Sequence, residues 1–426
     1  MQHINDITAW TTHINQSQQH HLLWMWGPAG VGKSVIAKSC AEKTAEKGRL
    51  SVSFFFSHTQ HVDDPKWVFT TIAHQLVQKM DKYRQVLGSK IQHNQDLYTK
   101  GLDVQFCELI IKPFLELRGQ KVEDKTVIID GLDECNGDSA QSKIMELVAK
   151  SVIEHGDKIP LLWAFFSRLE SHINHEFLPH SSSHLFSKVE LPVSESDYGD
   201  IRLYFRDKLH PLASADIVWP SEDTLGILVA MAAGLWIYAA TLVRFIMDQD
   251  ALSPQRQLED VLVFHEQRTQ SNPESNVTAE LDAFYKMIMS RVSLKNHLPT
   301  IQKALLIHHT TYKVVLHTIA NILSLTLEEL KHALSKLHSV LTFIPEEERE
   351  WGEPFPGSVR ISFYHASFME FLLDKTRSGE YCLEDHRHYT ALAPKVLGLF
   401  KDLYGMNGIS RGTSFFPGDI SCSKWN

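Results

Sequence analysis

The run GPAGVGKS, Gly27 to Ser34, holds residue types suited to gripping a polyphosphate. It fits the pattern G-x-x-x-x-G-K-[ST] and stands between an apolar stretch and a helical pattern, as that motif requires. Gly27, Gly30 and Gly32 let a loop that also includes Pro28, Ala29 and Val31 curl around phosphate oxygens. Successive N–H groups then point inward, and the helix that follows adds the positive end of its dipole. Lys33 would reach the β- and γ-phosphates as a point charge, and Ser34 would bind Mg²⁺.

About a hundred residues on, TVIIDGLDEC is an apolar strand that ends in acid. Asp130 is the expected Mg²⁺ holder, acting through water. Asp133 and Glu134 can orient or deprotonate a water that attacks the γ-phosphate, with Glu134 the better candidate for base. By itself an apolar run closing on a solvated DGxDE turn is ordinary; its place downstream of a phosphate loop gives it meaning. A third segment, LLWAFFSRLESHI, again ends a strand on polar residues and offers Arg168 as a guanidinium that could sense the γ-phosphate. A surface arginine at a strand end is equally common.

Other groupings read as plain structure. His172, His175, His180 and His184 have loosely zinc-like spacing but fall in HINHEFLPHSSSH, read as a polar, solvated loop without cysteine. His265 and Glu266 open like a metalloprotease helix, but Thr269 stands where the second histidine is needed. The acidic run from Pro345 to Glu350 reads as a solvated hairpin tip, and Phe54 to Phe56 as a buried strand.

The elements that must carry these residues follow from hydrophobic periodicity. Up to about residue 190, short apolar runs alternate with helical patterns, which predicts α/β units on a parallel sheet buried on both faces. The predicted strands are His21–Trp26, Leu50–Phe56, Thr126–Asp130, Pro160–Phe166 and His184–Leu191. Helices are expected at Lys33–Lys47, Lys66–Met80, Val104–Leu117 and Ala140–Glu154. Beyond about Ser194 helices dominate, at Asp197–Lys208, Asp223–Asp248 and Leu281–Val292. Residues 300–375 read as three helices, Ile301–Leu306, Lys313–Leu323 and Leu327–Ser335. Extended stretches at Val340–Ile344 and Val359–Tyr364 follow, the order of a winged helix. This part has seven Lys and Arg against nine Asp and Glu, which argues against phosphate neutralisation and for packing on protein.

The 426 residues, 43% hydrophobic and 22% charged, suit two or three folded units, and the net charge of −9 disfavours nucleic acid as main partner. Five dispersed cysteines without a CxxC pair, and no secretory signal, point to a reducing, cytoplasmic setting. The uncharged stretch Thr224–Val243 is long enough for a bilayer. It is rich in small residues, however, and Gly234 would divide it into two short buried helices, so no membrane partner is expected.

Taken together, GPAGVGKS, SVSFFFS, DGLDEC and FFSRLESHI, in this order and spacing, resemble the NACHT branch of the STAND signalling ATPases, close to the nephrocystin-like NTPase module. MAAGLWIYAATLVRFI resembles the helical lid of that class, LDAFYKMIMSRV the link to its winged helix, and RISFYHASFMEFLLD the closing segment of that winged helix. The resemblance covers about residues 20–375. It implies a three-layer P-loop NTPase domain (21–193), a helical lid (194–280) and a winged-helix domain (281–378), between an N-terminal segment (1–20) and a loosely ordered tail (379–426). It also implies ATP/ADP with Mg²⁺, a closed ADP-bound state, and opening on exchange for ATP, with homo-oligomer formation and signalling through protein partners. In that scheme Lys33, Ser34, Asp130 and Glu134 serve binding and hydrolysis, Arg168 is the sensor arginine, and His365 touches ADP. A histidine packed in FYHASF is as readily structural.

Two features depart from the class. Its members usually carry an N-terminal effector and a C-terminal repeat sensor, and neither is visible here, which leaves a truncated product, a minimal module or an incomplete gene model as the readings. Leu169 also replaces the more usual proline after the arginine. The leading expectation is a slow ATPase switch. The alternatives are a non-catalytic ADP-holding scaffold and, less favoured, an enzyme passing the γ-phosphoryl group to an acceptor other than water.

Overall fold

The computed structural model describes residues 5–7, 9–10, 20–46, 51–94, 96–117, 125–156, 158–181, 183–193, 198–210, 219–248, 253–271, 277–292, 297–311, 314–345 and 358–383. The chain divides into two compact units, residues 1–201 with 233–237, and residues 202–232 with 238–426.

In the first unit, β1 (Leu22–Trp26) leads through the glycine-rich loop into α1 (Lys33–Glu46). β2 (Ser51–Phe55) is followed by α2 (Trp67–Lys79) and α3 (Asp81–His93). A longer helical stretch comprises α4 (Leu102–Gln105), a π-helical turn at Phe106–Ile111, and α5 (Lys112–Glu116). Then come β3 (Lys125–Asp130), α6 (Asp138–His155), β4 (Leu161–Ser167), α7 (Ser171–Phe177) and β5 (Phe186–Glu190).

The five strands form one parallel sheet in the order β2-β3-β4-β1-β5. Every residue of β3 and β4 is buried, as a sheet covered on both faces demands. Aromatic side chains fill the covering layers. Trp24 packs against Phe177 with ring centroids 5.2 Å apart, and Phe106 against Trp163 at 5.9 Å. All five predicted strands form, each within two residues of its expected bounds. Because β4 lies between β1 and β3, the phosphate loop and the acidic end of β3 emerge at one edge of the sheet with the end of β4 between them.

Two corrections belong to this unit. The histidine-bearing run expected as a solvated loop contains α7, because Ile173 and Phe177 are fully buried and anchor it. The helix α3 was not expected; its sequence, DKYRQVLGSKIQH, is mostly polar, yet buried Tyr83 and Leu87 attach it to the core.

The second unit is mainly helical. Its elements and those flanking it in sequence start with α8 (Tyr198–Leu209), and α9 (Glu222–Ala232) and α10 (Trp236–Ile246) are separated by three residues, of which Ala233 and Gly234 have positive φ. The long uncharged stretch is therefore two short helices, and among the described residues no helix is long and apolar enough to cross a membrane. α11 (Pro254–Ser271), unexpected from its polar sequence, and α12 (Val277–Ser290) follow. Next are α13 (Leu298–Thr310), α14 (Leu316–Leu323) and α15 (Leu327–Leu334), the last opened by a capping box between Thr326 and Glu329. β6 (Leu341–Pro345) and β7 (Val359–Phe363) pair antiparallel, and α16 (Ala366–Leu373) and α17 (Lys375–Ser378) close the described part. The acidic run after Pro345 and the tail beyond residue 383 lie outside the described residues.

Ile129 is fully buried one residue before Asp130. Replacing it with alanine is expected to cost about 2–5 kcal/mol through lost burial and an unfilled cavity, read as a lower urea midpoint of the first unit.

Candidate functional site

The glycines of the phosphate loop have separate reasons for being glycine. Gly27 lies so close to the chain leaving β5 that a Cβ there would sit 2.3 Å from the carbonyl oxygen of Leu191. Gly30 and Gly32 have φ of 81° and 96°, a conformation costly for residues with a Cβ. Gly30 is also covered by Ile237, whose amide donates to the Gly30 carbonyl at 3.1 Å, and a Cβ on Gly32 would meet the Trp236 ring at 3.4 Å. Residues 233–237 thus pack with the first unit, against the loop itself.

Lys33 folds back over the loop. Its Nζ donates to the carbonyls of Gly27 at 2.7 Å and Pro28 at 2.8 Å. Burial lowers its pKa to about 8, opposed by Asp133, reinforced by Arg168, and opposed again by Asp130 and Glu134. The Ser34 hydroxyl hydrogen-bonds Asp130, whose carboxyl burial pushes up to about 6 against that bond. A hydroxyl beside a carboxylate is a hard-oxygen donor pair of the kind that suits Mg²⁺.

The acidic turn after β3 is held from several sides. Gly131 has φ 68°, and a Cβ there would sit 2.8 Å from the Phe56 carbonyl oxygen. The Glu134 amide donates to the Gly131 carbonyl at 2.7 Å, closing a 3₁₀ turn over Leu132–Glu134. The two acids then part company. Asp133 accepts from the Arg168 amide at 3.0 Å and pairs with the Arg168 Nε at 3.3 Å. Glu134 instead accepts from the His58 amide at 3.1 Å; burial and then Asp133 push its pKa up to about 7. One carboxylate is committed to an arginine, while the other sits near the pKa at which a group can exchange protons around neutral pH.

Lys33, Ser34, Asp130, Asp133, Glu134 and Arg168, all proposed from sequence, lie together at this edge. His365 belongs to the second unit, where it caps α16. Its Nδ1 accepts from the Ser367 amide at 3.0 Å and bonds the Ser367 hydroxyl, which in turn bonds Tyr285.

Sequence reasoning missed several supporting groups. Gln141, 5% exposed, donates to the carbonyls of Asp133 and Cys135 and accepts from His172 Nε2 at 2.7 Å. His172, expected in a solvated loop, thus holds the Gln141 side chain. Ser167 Oγ accepts from Trp24 Nε1 at 2.9 Å and donates to the Arg168 carbonyl at 2.8 Å, fixing the chain where the arginine leaves β4. Gln141 stands three residues into α6, where a polar residue facing inward was the one available signal. Ile237 and His58 had none. Among the described residues, no group of three or more His, Cys, Asp or Glu side chains could hold a metal ion.

Residues 2–168 match the family model described as Nephrocystin 3, N-terminal, a span holding the phosphate loop, the acidic turn and Arg168. No curated protein matches the chain. Among solved structures, Drosophila ORC bound to DNA aligns over 87% of this chain and 85% of its own at 12% identity and a TM-score of 0.37. C. elegans PCH-2 aligns over 63% of this chain and 68% of its own at 15% identity and a TM-score of 0.35. Likenesses this weak carry no weight for function. The sheet, the loop and the family match together make the first unit a P-loop NTPase-like fold.

Two predictions follow from this geometry. Gln141→Ala leaves two carbonyls and a histidine without their partner, and is expected to destabilise the first unit by about 1–3 kcal/mol in urea unfolding. Asp130 and Glu134 hold their protons more tightly folded than unfolded. Their contribution to stability is therefore fully present below about pH 4 and lost as pH rises through about 6 and about 7. Glu134→Gln should flatten the upper part of that fall in unfolding measured across pH.

Proposed function

We propose that the chain binds ATP and ADP with Mg²⁺ and slowly hydrolyses ATP, acting as a signalling switch of the STAND type with a NACHT-like NTPase domain. The observation that carries this reading is the single sheet edge joining a glycine-lined loop, a half-buried lysine ammonium folded onto that loop, and the acids Asp130 and Glu134. An ammonium with a depressed pKa gains most from an incoming polyanion, which restores its preference for the charged form. The loop amides of residues 29–34 and Lys33 would hold the phosphates, and Ser34 and Asp130 would hold Mg²⁺. When bound, that ion supplies charge neutralisation at the phosphates.

Within the chain, Glu134 is assigned as the group that takes a proton from water. Asp133, engaged by Arg168 through both amide and side chain, is assigned to holding the arginine in place. Arg168 would stabilise charge on the transferring group. In the same reading residues 194–280 serve as the lid and 281–378 as the winged-helix part, with His365 as the nucleotide-sensing residue. Assembly into homo-oligomers and signalling through protein partners belong to the same reading. On charge balance the same reading does not include nucleic acid as the main partner. A scaffold that holds ADP without turnover is the alternative; the placing of Glu134, held by the His58 amide within electrostatic reach of Lys33, favours hydrolysis over it.

Purified protein should release ADP or ATP on denaturation, identified by chromatography, and turn over ATP slowly. Lys33→Ala should reduce turnover at least about a hundredfold. The rate should rise with pH through about 7 as Glu134 loses its proton, and Glu134→Gln should abolish that limb while ATP stays bound. Bound ADP with no turnover that depends on Lys33 would instead establish the scaffold.

A further inference from the structure

Between β2 and α2 the chain makes a small closed turn that the sequence did not mark. Ser57 and Val62 exchange two backbone hydrogen bonds, each 2.9 Å, and the Ser57 hydroxyl accepts from the Gln60 amide at 3.3 Å. His61 stands at φ 56° to bring the chain round. The turn is fastened outward by His58, whose Nδ1 lies 3.0 Å from Asp63 Oδ2, and inward by the Asp63 carbonyl, which accepts from the Asn136 amide at 2.8 Å. Glu134 receives the His58 amide on Oε2 at 3.1 Å.

We propose that the His58–Asp63 pair is the positioning device for Glu134: it holds the 57–63 turn closed, so that the His58 amide keeps Oε2 occupied and presents Oε1 as the proton acceptor. The inference rests on the hydrolytic reading above and extends it to residues outside the phosphate loop and the acidic turn. An amide donated to a buried carboxylate favours its ionised form and restricts rotation of its side chain, the two properties a general base needs. His58 acts through Glu134 and is a positioning residue. The charged groups around its ring are Asp63, Glu134 and Asp133; their attraction, led by the bond to Asp63, holds its pKa above the usual histidine value. Asp63 in turn faces His58 and His61, which lower its pKa against the effect of its own burial. The pair is thus charge-assisted, yet the His58 side chain is 49% exposed, which makes the fastening one that solvent or a contacting surface can reach.

The test uses the full chain and three variants: His58→Ala, Asp63→Ala and Asp63→Asn, the last keeping an acceptor for the ring. The two alanine variants should lower kcat about tenfold with KM within about twofold, and should move the acid limb of the rate to higher pH. Asp63→Asn should fall between them and the unaltered protein. A second readout needs no turnover. The carboxyl stretch of Glu134, identified by its loss in Glu134→Gln, should titrate at higher pH in both alanine variants, as seen by difference infrared spectroscopy. An unchanged kcat and an unchanged Glu134 midpoint in both would overturn the proposal, as would a matched loss of kcat and nucleotide affinity without any shift of the midpoint. If unaltered protein shows no Lys33-dependent turnover, the hydrolytic reading fails by itself, and the infrared midpoints still decide whether the pair positions Glu134.

Discussion

Strands covered on both faces can present polar side chains only where they end. In a parallel sheet the C-terminal ends share one edge, so the groups that terminate β1, β3 and β4 are forced into one another's company. That crowding is the source of the site. Lys33, Asp130, Asp133, Glu134 and Arg168 partly neutralise one another, but burial outweighs attraction for three of them. The lysine is pushed toward neutrality, and two carboxyls toward holding their protons. An edge in that condition favours a polyanion with its cation, because their arrival supplies the charges that burial has made scarce.

The strand order does the selecting. With β4 between β1 and β3, the residue that follows β4 stands beside the acidic turn, and Arg168 can bind Asp133 through both amide and side chain. Glu134, one residue further on, turns toward the other neighbour of β3, the chain leaving β2. Two adjacent acids thus meet different strands and acquire different tasks, which the bare motif DGLDE leaves open. Glycine at position 131 makes that divergence feasible, since a Cβ there would collide with the Phe56 carbonyl.

Much of this is legible in the sequence. The apolar runs ending at Trp26, Asp130 and Ser167 mark strands because a doubly buried strand is a short unbroken apolar run bounded by polar residues, and the phosphate loop names its own chemistry. Helices α3 and α11 were not legible: they are polar over most of their length and are fixed by a few buried contacts such as Tyr83 and Val261. The histidines of α7 suggest solvent, whereas buried Ile173 and Phe177 decide its place. Within the site, residue types could be read but partners could not. That Asp133 takes the arginine, that Gln141 braces the acidic turn, and that Ile237 caps Gly30 all depend on which segments the fold makes neighbours.

The central claim is that this edge is a nucleotide site built around a half-buried lysine whose lowered pKa a bound phosphate would raise. The most direct measurement is calorimetric titration of ATP with Mg²⁺ into nucleotide-free protein at pH 8, repeated in two buffers of different ionisation enthalpy. The account predicts binding accompanied by proton uptake, because phosphate raises the pKa of Lys33 from about 8, and predicts that Lys33→Arg binds without that uptake. Folded protein that shows no binding heat, or uptake that persists in Lys33→Arg, would contradict it.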